Sequence, residues 1–469
     1  MRKAKIGILT FSDGRKFVHE ELKSMNQRFL DRVVSTLEGT GEVEVVTGDQ
    51  IIWTPLLAKQ QAQKMRAQDV DGTIFNFSIW SFPHLAAIAA ENGQPPYLML
   101  SNLNPSYPGL VGMMASAGSL DQLGIRNWRV WGDIAEDQHL LRRVLAFCRA
   151  ARVVNTLRGQ TYGLIGGRSL GMYTAVSDLR QWQHIFGVDV EHVDQLEIVR
   201  LAEEVSETEA EKGLRWLEDN IGKIHYDGKK LTPEKLKYQV RCYEATKRII
   251  AEKGLDFVGI KCQPELSDNY VTQCLSAAFL NDPYDWDGEH DPIVCACEVD
   301  MDGALTMQIL KLLSGDPVLF MDFRHYDEKE NIYVFCNCGS QATYYAGRSK
   351  DPGGNLKGVH FYPQILYYPA GGATVQYVGR AGEVTLARLA RSNGQYWMAI
   401  MPGEFVEYPR SKCEPTTKEW PHCFTRLCVS PERLISEYGS NHTHGVYGNW
   451  TDELALICEM LGIGSTVYA

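Results

Sequence analysis

The residues best suited to chemistry lie in the stretch CACEVDMDGALTMQILKLLSGDPVLFMDFRHYD and in a glycine-rich segment near the C-terminus, GSNHTHGVYGNW. Glu298 ends one apolar run just before a helical pattern, and Asp322 ends the next apolar run. In open α/β sheets, ligands bind beyond the carboxyl ends of the strands, so each carboxylate is predicted to point into a crevice. A single β-α-β step separates them, which predicts neighbouring strand ends. Two carboxylates so placed can hold a hard divalent cation and can divide acid and base roles. Asp300 and Asp302, just before and within MDGAL, read as caps of the helix that begins there. Near the C-terminus, Gly439, Ser440, Asn441 and Gly445 predict a loop that carries His442 and His444. Neutral imidazole is a ligand for manganese-class metals. The pattern by itself does not choose between the two histidines.

These groups need elements to position them. KIGILT reads as a strand ended by the Ser12-Asp13-Gly14 turn, and helical patterns then alternate with EVEVVTG, GTIFNFSIW and PYLMLSN. Such alternation predicts a parallel sheet with helices on both faces. A helical run over 136–157 stops at Gly159, and a second alternation follows through TYGLIGG, DVEHVD, DFVGIKC, DPIVCACEV and DPVLFMDF. After Tyr326, short β-like runs punctuated by Gly and Pro predict an antiparallel sheet. The expected fold is α/β: two Rossmann-like parallel-sheet domains followed by a mainly antiparallel β C-terminal domain. The expected divisions are 1–158, 159–313 carrying Glu298, and 314–469 carrying Asp322 and His442.

Composition narrows the partners. The 469 residues carry a net charge of −11, which argues against nucleic acid or an anionic membrane surface as a partner. The first apolar run is too short for a secretory signal, and no run of ~20 apolar residues occurs, so a cytoplasmic location is expected. The 12 cysteines are then reduced thiols, and Cys295/Cys297 and Cys336/Cys338, in strand-like runs, read as core residues. Two other functions match parts of the sequence. YGLIGGRSLGM, with Gly163, Gly166, Gly167 and Gly171 and with Asp189 downstream, raises an NAD-dependent oxidoreductase, but its spacing departs from G-x-G-x-x-G. A non-enzymatic sugar-binding module is the other rival, and it has no use for two strand-end carboxylates plus a histidine.

CACEVDMDGALTMQILKLLSGDPVLFMDFRHYD resembles the metal-binding core of the L-fucose/D-arabinose isomerase family, related in fold to L-arabinose isomerase. KIGILTFSDGR, VTLARLARSNGQYWMAIMPGEF and SNHTHGVYG are similar to that family's opening strand, β domain and C-terminal Asn-His loop. The resemblance implies an aldose–ketose isomerase working through a cis-enediol. It implies Glu298, Asp322 and His442 as ligands of a divalent metal, usually Mn2+, and Glu298 and Asp322 as the acid–base groups. It implies sugar contacts from Ser340, Asn441, His444, Lys261 and Gln263, with Arg15 and Trp80 lent by a neighbouring subunit of a homohexamer. Lys261 falls where the family has a glutamine, and Gln263 is expected on the same strand face. With Arg15, that lysine would suit an anionic sugar, sulfonated or phosphorylated. The chain also looks shorter than a typical fucose isomerase.

Overall fold

A computed structural model describes residues 2–469. The chain divides into two compact units, Met1–Thr156 with Asp452–Met460, and Leu157–Thr451 with Leu461–Ala469.

The first unit is built on five parallel strands: Ala4–Phe11, Val43–Thr47, Gly72–Phe77, Tyr97–Ser101 and Asn127–Trp131. In space the second strand lies outermost, followed by the first, third, fourth and fifth. Ile6, Ile8 and Ile74 pack into one core, whereas Leu9, Phe11, Phe75 and Phe77 pack into another. Burial on both faces explains why these strands read as nearly unbroken apolar runs.

Two larger sheets dominate the second unit, beside a three-stranded and a two-stranded one. Cys295–Cys297, Phe257–Ile260, Thr161–Ile165 and Asp189–Val193 form a parallel sheet in that spatial order. The other sheet runs through Gly382–Ser392, His442–Tyr447, Leu319–Asp327, Ile332–Cys336, His422–Leu427 and Gln395–Val406. The last of these pairs again with Gly382–Ser392, so six antiparallel strands close into a barrel. Gly464–Val467 adds to the strand Gln395–Val406 in parallel. Inside the barrel, Gly445 has no room for a side chain: a Cβ would stand 2.5 Å from Leu386 Cδ2 and 3.3 Å from Met321 Cε. Among the described residues, no helix is long and apolar enough to cross a membrane.

The expected fold class holds, with parallel sheets first and an antiparallel sheet after them. Two local expectations do not. Asp322 is not at a strand end beside Glu298 in one parallel sheet; it lies within Leu319–Asp327, a strand of the barrel. The segment from His442 is a strand rather than a loop, because Gly445 is demanded by barrel packing and not by a turn. The glycine-rich turn after Ile165 makes no nucleotide cradle. Lys261 Cβ and Gln195 Oε1 would both stand 2.6 Å from a Cβ on Gly166, and Asp189 opens its strand instead of ending it.

Candidate active site

Glu298 follows the short strand Cys295–Cys297 and precedes the helix Met301–Ser314. The turn between them is strained. Glu298 and Val299 take positive φ values of 59° and 57°, unusual for any non-glycine residue and more so for β-branched valine. The neighbouring strand makes room with Gly259, where a Cβ would approach Val299 Cα to 3.0 Å and Tyr162 Oη to 2.1 Å. Asp300 then caps the helix by accepting from the Gly303 amide at 3.0 Å. That helix is buried almost all round, with Met301 to Leu310 out of solvent.

Asp322 and His442 are brought to Glu298 by the barrel's outer wall. They are direct cross-strand partners in an antiparallel pair. His442 Nε2 lies 3.1 Å from Glu298 Oε2 and 3.4 Å from Asp322 Oδ1. Its other nitrogen, Nδ1, is 2.6 Å from Asp300 Oδ2. The imidazole is fully buried, and Nε2 has no aligned hydrogen bond despite the two nearby carboxylates. Asn441 donates to Asp322 Oδ1 at 3.3 Å.

Asp300 is the centre of this arrangement, and the sequence reading saw only its cap. Besides Gly303 and His442 it receives both guanidinium ends of the buried Arg388. Burial opposes its ionisation, but Arg388 and His442 outweigh that and hold it well below the usual carboxylate range. An ionised Asp300 fixes the proton of His442 on Nδ1 and leaves Nε2 facing Glu298 and Asp322. Burial likewise works against a charged His442, yet the surrounding carboxylates push the imidazole up to about 10. Burial and the like charge of Glu298 raise Asp322 to about 6, with His442 pulling the other way. Arg388 stands in the run VTLARLARS, where a charge among apolar residues was the available signal.

The remaining candidates are spread more widely. His444 is on the same strand face as His442 but one step deeper, accepting from Arg388 at 3.3 Å; burial and Arg388 hold it neutral. Ser340 is buried, with its hydroxyl turned onto Asn337 within its own loop. Lys261 and Gln263 do not share a strand face, because the strand ends at Ile260. Lys261 turns to Glu265 at 2.7 Å, in a cleft with Gly166 and Gln195. Gln263 instead donates to Tyr368 Oη at 2.5 Å. Arg15 and Trp80 lie in the first unit, after two adjacent strands that end together at Phe11 and Phe77. Arg15 is paired with Asp13 at 2.6 Å. Asp302 caps nothing; Ser177, Tyr396 and Arg391 bind its buried carboxylate. All 12 cysteines are free thiols. Cys295, Cys297 and Cys336 are buried, and Cys297 Sγ touches Cys338 Sγ at 3.6 Å.

Among the described residues, no three His, Cys, Asp or Glu side chains are already spread as a cage around one point. At Glu298, Asp322 and His442 the imidazole meets the carboxylates directly. The donor set nevertheless fits a hard cation. Bonds of about 2.1–2.3 Å at right angles leave neighbouring donors about 3.0–3.3 Å apart, close to the two separations seen here. Beside the two carboxylates, the buried Nε2 of His442 has no hydrogen-bond partner.

Residues 3–159 match the family described as L-fucose isomerase, first N-terminal domain, and residues 335–468 match L-fucose isomerase, C-terminal domain. A sulfoquinovose isomerase from Clostridium sp. (strain MSTE9) is 27% identical over 363 residues, 76% of each chain. L-fucose isomerases from Vibrio vulnificus (strain YJ016) and Bacteroides thetaiotaomicron are each 24% identical across 98% of this chain and 92% of their own. The Vibrio match extends over 553 positions against the 469 residues here, so this chain lacks segments within the matched region. The chain belongs to the L-fucose isomerase family and, with it, to the enzymes that interconvert an aldose and its ketose.

Proposed function

We propose that this protein isomerises an anionic monosaccharide with the help of a divalent metal, Mn2+ by family resemblance, held by Glu298, Asp322 and His442. The observation that carries the metal assignment is the buried His442. Asp300 occupies its Nδ1, and its unsatisfied Nε2 faces the carboxylates of Glu298 and Asp322 at 3.1 and 3.4 Å. When bound, the metal would polarise the sugar carbonyl and fix two adjacent sugar oxygens. The protein's own groups move the protons. One carboxylate of the Glu298–Asp322 pair takes the proton from C2 of the aldose while O1 is protonated, giving the cis-enediol. O2 then loses its proton and C1 gains one, leaving the ketose. Asp300 and Arg388 hold His442 in register, and Asn441 orients Asp322.

The anionic substrate is supported by the similarity to a sulfoquinovose isomerase. Lys261 and Arg15, the cations first associated with it, are each already paired with a carboxylate. Ser340, His444, Lys261 and Gln263 remain proposed sugar contacts by resemblance. So do the three-part division at 158 and 313, the cytoplasmic location, and a homohexamer in which Arg15 and Trp80 complete a neighbour's site. An isomerisation screen over neutral and anionic aldoses with Mn2+ present tests the activity. Turnover abolished by a chelator and restored by Mn2+ is expected, and metal-independent turnover would reject the metal.

A further inference from the structure

A cation that the family resemblance does not single out stands on the strand of Asp322. Phe323 pairs with Phe335, and the next pair is His325 with Val334. Arg324 is therefore the extra residue of a β-bulge, without a partner on the neighbouring strand. The bulge lets the flanking aromatics stay packed: Phe323 lies 5.3 Å from Phe335 and Tyr326 lies 4.9 Å from Tyr333, centroid to centroid. Arg324 is thereby released from the alternation that would set its direction, and bulges next to active sites re-aim side chains in this way.

Arg324 is exposed and makes no ion pair or hydrogen bond among the described residues. Burial and Asp322 raise the Cys336 thiol, with the Arg324 charge opposing them, and burial lowers the His422 imidazole, with the Arg324 charge adding to it. Cys336 is the cross-strand neighbour of Asp322, and His422 is the neighbour of Cys336. Arg324 therefore stands two residues along the strand from Asp322, beside the row of the barrel wall that begins there. It does not neutralise Asp322 itself, since no ion pair joins them. Other cations near the carboxylates are spent: Arg388 binds Asp300, and Lys261 binds Glu265.

We propose that Arg324 is a specificity residue that binds the terminal oxyanion, sulfonate or phosphate, of the sugar whose C1 and C2 react at Glu298 and Asp322. This rests on the isomerase reading above and names the group that selects its substrate. Two residues along a strand span roughly 7 Å. C6 of a hexose lies four bonds from C2, a comparable remove. A guanidinium offers paired N–H donors that match a tetrahedral oxyanion.

The test is calorimetric binding of unreactive sugar alcohols to the full-length Mn2+-loaded protein. Hexitol 6-phosphate and 6-sulfonate are compared with the neutral hexitol, for wild type, Arg324→Gln and Arg324→Lys. Wild type should bind at least one anionic hexitol about tenfold or more tightly than the neutral one. Arg324→Gln should bring the two within about twofold while leaving neutral binding unchanged, and Arg324→Lys should keep part of the preference. Whichever anion is preferred names the source. No preference in wild type, or a preference that survives in Arg324→Gln, overturns the proposal. A parallel turnover assay separates the two readings: anion preference lost in Arg324→Gln without turnover of any aldose would remove the isomerase and leave the oxyanion site.

Discussion

Asp322 and His442 face each other across an antiparallel strand pair, with His442 Nε2 3.4 Å from Asp322 Oδ1. Because the barrel ladder fixes that pairing, these two groups share one register and cannot slip independently. Glu298 comes from a different sheet, so the site is a junction between a barrel wall and the carboxyl end of a parallel sheet. Three consequences can be measured.

In the proposed metal site, metal and proton would compete for His442. Its folded-state value of about 10 lies above the ordinary imidazole value, so below pH 10 a cation must displace a proton. Apparent Mn2+ affinity should therefore strengthen about tenfold per pH unit between pH 6 and 8, with about one proton released. For the metal-free protein the sign reverses. The charged imidazole stabilises the fold fully below about pH 6.5, and that contribution is lost as pH rises toward 10. Calorimetric titrations in buffers of different ionisation enthalpy count the proton.

Asp300 and Arg388 form a fully buried ion pair. Asp300→Asn leaves Arg388 without its counter-charge and should lower stability by about 3–5 kcal/mol. Arg388→Met should also be destabilising, by less, because His442 still faces the carboxylate. The double variant should lose clearly less than the sum of the two, because neither charge is then left alone. Denaturant midpoints with an unchanged slope would measure this.

Gly259 makes room for the strained turn at Glu298. Gly259→Ala would put a Cβ against Val299 Cα and Tyr162 Oη. Overpacking should cost about 1–3 kcal/mol, and the displaced turn should weaken Mn2+ binding as well. Thermal melts and metal titration together check it. Full metal affinity at reduced stability would show that the turn does not set the position of Glu298.

Much of this was legible in the sequence, and the failures have physical causes. Alternating apolar and helical runs revealed the parallel sheets because strands buried on both faces stand out. The two carboxylates were found as polar residues ending apolar runs. For Glu298 that run is a true strand end. For Asp322 the polarity change marks a bulged stretch at the barrel's outer wall, where the strand continues through Arg324 to Asp327. Asp300 was read as a helix cap, and it is one. Its decisive partners, Arg388 and His442, lie 88 and 142 residues away, and no local spacing displays such a pairing. Lys261 and Gln263 read as sharing one face only if strand alternation runs three residues past Ile260, where the strand has already ended.

The central claim is that Glu298, Asp322 and His442 hold a catalytic divalent metal. Metal analysis of the purified protein beside Glu298→Gln, Asp322→Asn and His442→Ala, each checked for an intact fold, tests it most directly. About one divalent ion per chain is expected in wild type, with loss of both metal and aldose–ketose turnover in each variant. A folded variant that keeps its metal and its turnover would contradict it.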